Sequence, residues 1–232
     1  MASVKIDNQR RYHGTSAAYV LPKANDIVEQ DRLDAQAAAI VEMIGGYPFL
    51  APLRTSDNIS KVVDVGCGTG VATIQIATAL PSATIYGLDL TPVPESSKNL
   101  APENIIWAQG NALDVNYHQP SNDVMSREIF TPAGLDYIFG RMLFLGINNW
   151  PRYFSIASHA LKSGAMMEHQ DLDWKFYRVG TSECYPELLR KMLGADVVTG
   201  EKLEALTKAC LHDITSEEGL HQKYTITIAR KP

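Results

Sequence analysis

Residues 61–70 read KVVDVGCGTG, a short apolar run that leads directly into three closely spaced glycines. The apolar run is typical of a buried strand, and the residues after Gly70 continue as a helix that ends at Pro81. Glycine allows turns that other residues avoid and lets a ligand approach the main chain. The segment therefore predicts a strand, a ligand-binding turn and a helix whose positive dipole end faces that turn.

Apolar runs that alternate with helical patterns continue along the chain. Strands are predicted at residues 84–89, 104–110, 135–142, 165–170 and 224–230, with a further strand near 212–215. Helices are predicted from about Trp150 and over 200–211, and residues 161–164 are predicted as a turn. Such alternation is typical of a parallel sheet covered by helices on both faces.

The last two predicted strands differ from the others. About ten residues separate Ile214 from Tyr224, which is too short for a helical crossover, so a hairpin with one antiparallel strand is expected. The sequence thus predicts an α/β fold: a Rossmann-like, doubly wound sheet of seven strands, mostly parallel.

The N-terminal part of the chain precedes this sheet. Residues 1–25 are polar and are predicted to be irregular, and Asp26 and Glu29 can cap a helix that ends at Gly45-Gly46. We expect residues 1–45 to form an N-terminal segment and helix, and residues 46–232 to form the Rossmann-like part of a single domain.

Composition disfavours several classes of function. The net charge is -5, and no basic run is longer than Arg10-Arg11, so no nucleic-acid partner is expected. The chain has no apolar run of about 18 residues and no secretory signal, so no membrane association is expected. The three cysteines lack metal-binding spacing and predict reduced thiols in a cytoplasmic or nuclear protein.

The glycine spacing distinguishes two kinds of cofactor. A dinucleotide site needs the pattern G-x-G-x-x-G, but Val71 stands at the position of its third glycine. Gly66, Gly68 and Gly70, preceded by Asp64, resemble motif I of the class I S-adenosylmethionine-dependent methyltransferases. That cofactor carries a carboxylate and an ammonium but no phosphate, and Asp64 can supply the negative charge that the ammonium needs. A nicotinamide-dependent oxidoreductase remains as a less favoured alternative.

Polar residues follow the next two predicted strands. Asp89 ends the second strand, where a carboxylate can accept hydrogen bonds from both ribose hydroxyls of a bound nucleoside. Residues 109–112, after the third strand, resemble the adenine-binding segment of the methyltransferases. Asn111 takes the place of the commoner Asp, and its carbonyl can still accept from the exocyclic amine of adenine.

Segments on both sides of the glycine turn resemble one particular group of methyltransferases. They resemble the fungal LaeA-like methyltransferases over residues 12–175, in the segments 12–14, 19–22, 29–36, 140–142, 149–150 and 161–168. The resemblance implies a fungal enzyme or regulator of secondary metabolism that binds S-adenosylmethionine and releases S-adenosylhomocysteine. It implies cofactor contacts from Asp64, Gly66, Cys67, Gly68, Gly70, Asp89, Leu90, Asn111, Ala112, Arg141 and Tyr19. The chain departs from the family at residues 163–165, which read Ser-Gly-Ala rather than Pro-Gly-Gly, and it is short after Tyr177.

Methyl transfer places few demands on the protein's side chains. It is an in-line displacement, so the enzyme mainly aligns the acceptor and excludes water, and no catalytic triad is expected. His169 is the candidate general base for a hydroxyl acceptor. Tyr12, His13 and Trp174 are candidate substrate contacts. Asp171 and Asp173 lack a third ligand, so no metal is expected.

Two functions follow from these observations. The first is a methyltransferase that acts on a small-molecule acceptor, a secondary metabolite. The alternative is a LaeA-like regulatory methyltransferase that acts through protein partners or on a protein substrate. We also expect residues 10–25 to fold over the bound cofactor as a lid.

Overall fold

The computed structural model describes the backbone of residues 4–7, 10–13, 26–53, 58–117, 128–144, 146–178 and 220–232. It describes the side chains of residues 26–53, 58–117, 128–144, 146–172 and 224–232. The predicted helix at 200–211 and the predicted strand near 212–215 lie outside the described residues.

Eight strands and four α-helices make up the described chain. The strands are β1 Val4–Asp7, β2 Arg10–His13, β3 Lys61–Val65, β4 Thr84–Asp89, β5 Ile105–Gln109, β6 Leu135–Arg141, β7 Leu161–Arg178 and β8 Leu220–Arg230. The helices are α1 Ile27–Met43, α2 Val71–Ala79, α3 Glu95–Asn99 and α4 Trp150–Ala160, with a single 3-10 turn at Ala112–Asp114. None of the helices in the described part of the chain combines the length and apolar character needed to cross a membrane.

The main sheet has the strand order β5-β4-β3-β6-β7-β8. The strands from β5 to β7 are parallel to their neighbours. The chain winds outward from β3 to β5 and then returns to place β6 on the other side of β3. This is a doubly wound arrangement, and its topological switch point lies between β3 and β6.

The edge strand β8 runs antiparallel to β7. Gly164 N–H donates to the Lys231 carbonyl and Lys231 N–H donates to the Ala165 carbonyl, at 2.9 Å each. Such a closely spaced pair of bonds is typical of antiparallel strands. The prediction of a mostly parallel Rossmann-like sheet with an antiparallel C-terminal strand is confirmed. The described residues contribute six strands to it, so the seventh strand stays a prediction.

The sheet is buried on both faces, as the apolar strand β3 predicts. Val63 packs in a cluster with Ile138 and with Tyr153 of α4. Val62, on the opposite face, packs in a second cluster with Ile76 of α2. Because successive strand residues point to opposite faces, the apolar side chains of KVVDV pack in the clusters on both faces of the sheet.

The chain divides into two compact units. One unit comprises residues 1–170 and 226–232, and the other comprises residues 171–225. The described part of the second unit consists of residues 171–178 of β7 and residues 220–225 of β8.

Helix α1 has the predicted ends. The Asp26 carboxylate accepts from Glu29 N–H at 3.0 Å, which satisfies one of the free donors of the first turn. Gly45 and Gly46 follow the helix with φ of 88° and 87°, a left-handed conformation that ends helices most often at glycine.

Two local predictions are wrong. Residues 4–7 and 10–13 are not irregular, because β1 and β2 pair antiparallel with Val4 opposite His13. Residues 161–164 do not form a turn between helix and strand, because β7 begins directly at Leu161. Leu161 pairs with Leu135 and Met166 pairs with Tyr137, so the extra residues of β7 are accommodated as an irregularity inside the strand.

Candidate cofactor-binding site

A cleft lies at the carboxyl ends of β3, β4, β5 and β6. Its larger lobe has about 820 Å³ of empty space and its smaller lobe about 480 Å³. The two lobes share the lining residues Leu33, Gln36, Gly66, Gly68, Arg141 and Met142. The lobes therefore form one continuous cleft at the switch point, where open α/β sheets bind their ligands.

The glycine turn separates the two lobes. Gly68 has φ of 57°, and a Cβ atom added there would meet no other atom within 4 Å, so its backbone is open to the cleft. A Cβ atom on Gly70 would lie 2.6 Å from Cη2 of Trp107, and Gly70 lines neither lobe. Gly68 thus permits close approach of a ligand, whereas Gly70 makes room for Trp107 and begins α2. The structure does not bring Gly70 into the predicted site.

Asp89 connects the end of β4 to the glycine turn. Its Oδ2 accepts from Gly68 N–H at 2.9 Å, and its Oδ1 accepts from the N–H and hydroxyl of Thr91 at 2.8 and 2.9 Å. A carboxylate can accept about four hydrogen bonds, so Oδ2 keeps capacity for a ligand hydroxyl. Asp89 lines the larger lobe, as predicted for a ribose contact, and it also holds the turn in place.

Asp64 is a buried acid on the wall of the smaller lobe. The Thr73 hydroxyl donates to its Oδ2 at 2.6 Å. Burial raises the pKa of Asp64 to about 7, although the Thr73 hydrogen bond and the positive charge of Arg141 both act to lower it. The cleft therefore contains a carboxyl group whose charge is not fully compensated by the protein.

Arg141 ends β6 and lines both lobes. Its Nε donates to Gln170 Oε1 and its Nη2 donates to the Pro48 carbonyl, both at 2.9 Å. Its Nη1 is buried and has no hydrogen-bond partner among the described residues. Leaving a charged donor buried and unpaired is costly, so this atom indicates a ligand with a complementary acceptor.

Three more predicted contacts line the larger lobe: Leu90, Asn111 and Ala112. Asn111 Oδ1 accepts from Leu113 N–H at 2.9 Å and so caps the 3-10 turn. Its predicted contact with adenine stays a prediction. Cys67 lines the smaller lobe, and burial raises the pKa of its thiol.

His169 lines neither lobe of the cleft. The rings of Trp150, Tyr153 and Phe154 surround it, with centroids 5.6, 5.4 and 6.2 Å from its own. Neither ring nitrogen has a hydrogen-bond partner among the described residues, and burial lowers the pKa of His169 to about 4. The structure therefore does not bring this candidate base together with the predicted cofactor contacts.

The other predicted contacts lie outside the described side chains. Tyr19 lies outside the described residues altogether. Tyr12 and His13 belong to β2, and Trp174 belongs to β7, but their side chains are not described. Within the part of the chain that the structure describes, no three His, Cys, Asp or Glu side chains cluster as metal ligands.

Several cleft residues escape the sequence analysis. Leu33 and Gln36 of α1 face both lobes, and Leu143 and Ile147 line the larger one. The spacing of Leu33, Ala37 and Ile40 does mark one face of α1. Periodicity alone does not tell whether such a face packs on a core or covers a cleft.

This sheet and cleft define a doubly wound α/β domain with a ligand-sized cleft at its switch point. The chain belongs to the methyltransferase domain family, which matches residues 34–217. The family predicted from the sequence is confirmed.

The chain is similar to fungal proteins of secondary metabolism. It is 29% identical over 196 residues to methyltransferase pytC of Aspergillus terreus, covering 84% of this chain and 54% of that protein. It is 30% identical over 179 residues to the secondary metabolism regulator laeA of Aspergillus fumigatus, covering 73% and 41%. The protein-methionine methyltransferase laeA of Emericella nidulans is 28% identical over 178 residues, with the same coverage. The chain thus spans about half the length of the curated relatives that it matches.

Solved structures resemble the chain more distantly. Phosphoethanolamine N-methyltransferase 2 of Haemonchus contortus, in complex with S-adenosyl-L-methionine, is 15% identical, with a TM-score of 0.49. The similarity covers 85% of this chain and 52% of that chain.

Proposed function

We propose that the chain is an S-adenosylmethionine-dependent methyltransferase that acts on a small-molecule acceptor of fungal secondary metabolism. The observation that carries the proposal is the buried Nη1 of Arg141, which has no partner among the described residues and lies in the same lobe as the buried carboxyl of Asp64. Together they offer one positive and one negative group to a single ligand. The amino-acid end of S-adenosylmethionine carries the complementary carboxylate and ammonium.

Each part of the cofactor has residues that suit it. Arg141 holds the carboxylate and Asp64 the ammonium, while the open backbone at Gly68 allows both groups to approach. In the larger lobe Asp89 accepts from the ribose, and Leu90, Asn111 and Ala112 contact the base. These assignments are proposals that rest on the position of each residue in the cleft.

The negative charge of Asp64 disfavours a dinucleotide. A pyrophosphate on the glycine turn would place two negative charges beside Asp64, and the repulsion would be strong because the site is buried. An ammonium at this position is instead attracted by the carboxylate. The position of Asp64 therefore supports S-adenosylmethionine over a nicotinamide cofactor.

The sulfonium of the cofactor supplies an activated methyl group, so the protein's contribution is alignment and exclusion of water. Leu33 and Gln36 of α1 flank both lobes and restrict access of solvent from that side. We assign no general base, because His169 lines neither lobe. An amine or thiol acceptor needs no general base, whereas a hydroxyl acceptor would need one.

Calorimetry with S-adenosylhomocysteine and NADH tests the cofactor. The first ligand should bind and NADH should not, and Arg141→Met should weaken binding of the first by at least about tenfold. Binding of NADH alone would overturn the proposal. Incubation with labelled S-adenosylmethionine and a fungal extract then shows whether label enters metabolites.

A second candidate is a regulatory methyltransferase that acts through protein partners or on a protein substrate. The similarity to relatives named secondary metabolism regulator and protein-methionine methyltransferase favours it. In the labelling experiment, transfer to proteins rather than metabolites would select this candidate. Either function suits a protein of the cytoplasm or nucleus, and we propose no nucleic-acid partner.

The remaining sequence predictions are part of this proposal. We retain a seventh strand near residues 212–215 and a single domain with boundaries at 1–45 and 46–232. We also retain residues 10–25 as a lid, with Tyr12, His13 and Trp174 at the acceptor and Tyr19 at the cofactor. Amide hydrogen exchange tests the lid, because residues 12–20 should gain protection when S-adenosylhomocysteine binds.

A further inference from the structure

A chain of buried hydrogen bonds runs from the cleft to the segment that follows α1. At its centre is Glu168, whose carboxylate is fully buried. It accepts from Leu50 N–H at 3.0 Å, from Ala51 N–H at 2.6 Å and from the Tyr137 hydroxyl at 2.9 Å. Gln170 Nε2 is a further donor, at 2.5 Å. The buried charge is thus satisfied by several donors, as burial of a carboxylate requires.

Gln170 links this carboxylate to the arginine of the cleft. Its Nε2 donates to Glu168 Oε1, and its Oε1 accepts from Arg141 Nε at 2.9 Å. A carboxylate can only accept and a guanidinium can only donate, so these two neighbours permit a single orientation of the amide. Gln170 therefore presents a fixed acceptor to Arg141.

Two contacts hold the planar guanidinium. Gln170 fixes Nε, and the Pro48 carbonyl fixes Nη2 at 2.9 Å. Because the five N–H donors of arginine form a rigid fork, these two contacts also determine the direction of Nη1. Nη1 is the nitrogen left without a protein partner among the described residues, and Arg141 lines both lobes of the cleft.

We infer that Gln170 and Glu168 are positioning residues that hold Arg141 ready for the carboxylate of the cofactor. The inference rests on the proposed function and adds two residues that line neither lobe. The same Glu168 holds Leu50 and Ala51, in the segment that joins α1 to β3. Glu168 therefore connects the segment after α1, a helix that lines the cleft, to the strand ends that carry Arg141.

Preorganisation explains why such a network affects affinity. A long side chain that is free before binding loses conformational entropy when it pairs with a ligand, and that loss weakens binding. A side chain already locked by neighbouring hydrogen bonds does not lose it again. The effect applies only to the part of the ligand that Arg141 contacts.

The test uses two ligands that share a nucleoside. S-Adenosylhomocysteine has the amino-acid end, whereas 5′-methylthioadenosine keeps the adenosine and the thioether but has no carboxylate. Gln170→Met should weaken binding of S-adenosylhomocysteine by about tenfold and leave binding of 5′-methylthioadenosine unchanged, as measured by calorimetry. Gln75→Met makes the same chemical change in α2, away from both lobes, and should leave both affinities unchanged.

A double-mutant cycle separates positioning from general damage. In an Arg141→Met background, Gln170→Met should have no further effect on the affinity for S-adenosylhomocysteine, because the residue that it positions is gone. Glu168→Gln should also lower the affinity for S-adenosylhomocysteine. If the Glu168 variant does not fold, Gln170→Met alone tests the positioning role.

Failure of the positioning role can be distinguished from failure of the proposed function. The positioning role would be overturned if Gln170→Met lowered the affinities for both ligands equally. It would also be overturned if the effects of Gln170→Met and Arg141→Met on the affinity for S-adenosylhomocysteine were fully additive. If the wild-type protein binds S-adenosylhomocysteine and Gln170→Met binds it equally well, this inference alone fails. If the wild-type protein binds neither ligand, the proposed function fails together with the inference.

Discussion

Asp64→Asn should stabilise the ligand-free protein at high pH. Burial raises the folded-state pKa of Asp64 to about 7, whereas an aspartate in an unfolded chain titrates near 4. Between these values the folded state holds a proton that the unfolded state releases, so stability falls as pH rises from about 4 to 7. Asparagine has a similar volume, stays neutral, and can still accept from the Thr73 hydroxyl.

The magnitude follows from the size of the shift. Each pKa unit corresponds to about 1.4 kcal/mol, so ionised Asp64 costs the folded state on the order of 4 kcal/mol above pH 7. The stability advantage of Asp64→Asn over wild type should grow by about 3 kcal/mol between pH 5 and pH 8. Urea unfolding of both proteins at the two pH values measures this difference.

Asp136 offers a control, because its pKa is shifted in the direction opposite to that of Asp64. Burial acts to raise its pKa, but hydrogen bonds from Lys162, Ser60 and Lys61 outweigh burial and lower the pKa of Asp136. Its contribution to stability is therefore present at neutral pH and lost as pH falls through its folded-state pKa. Asp136→Asn should be destabilised near pH 7, with a deficit that shrinks in acid. A stability advantage of Asp64→Asn that does not change with pH would refute the raised pKa.

Two further predictions concern the cleft. Asp89→Ala should lower the affinity for S-adenosylhomocysteine at least about tenfold in calorimetry, because it removes the ribose acceptor and the anchor of Gly68 N–H; an unchanged affinity would remove Asp89 from the site. Gly68→Ala and Gly70→Ala both place a side chain at positive φ, but only Gly70→Ala also forces a contact with Trp107. Gly70→Ala should therefore lose more unfolding free energy in urea, by about 1–3 kcal/mol, while Gly68→Ala should lose more affinity; the reverse ranking would contradict the assigned roles.

The sheet is predictable because its signals are local. The run KVVDV has apolar residues on both faces, and only a strand covered on both sides buries them all. Asp26 marks the start of α1 by the same kind of short-range chemistry. In the hairpin of β1 and β2 the pattern is too short, since Val4–Asp7 alternates over only four residues and Arg10–His13 is polar without apolar alternation. Its strands are defined by pairing with each other, which propensity does not reveal.

The cleft is predictable where residues follow the ends of parallel strands. Asp64, Asp89 and Arg141 belong to this edge whatever the side-chain details, so the topology alone brings them together. The position of His169 instead depends on which face of β7 it occupies. That face is set by the irregularity after Leu161, and a shift by one residue reverses every side chain beyond it. Glu168 and Gln170 consequently face the Arg141 side, and His169 faces α4.

Asp64 and Arg141 each place a buried polar group in the cleft that destabilises the folded protein, for opposite reasons. Asp64 is a buried acid that resists ionisation, and Arg141 keeps a buried donor without a partner among the described residues. A zwitterionic ligand relieves both costs, because its ammonium favours the charged acid and its carboxylate satisfies the donor. Binding should therefore release a proton below pH 7, and the affinity for S-adenosylhomocysteine should fall as the solution becomes more acidic. In Asp64→Asn this pH dependence should disappear along with most of the affinity, because the variant gains stability by removing the charge that the ammonium requires.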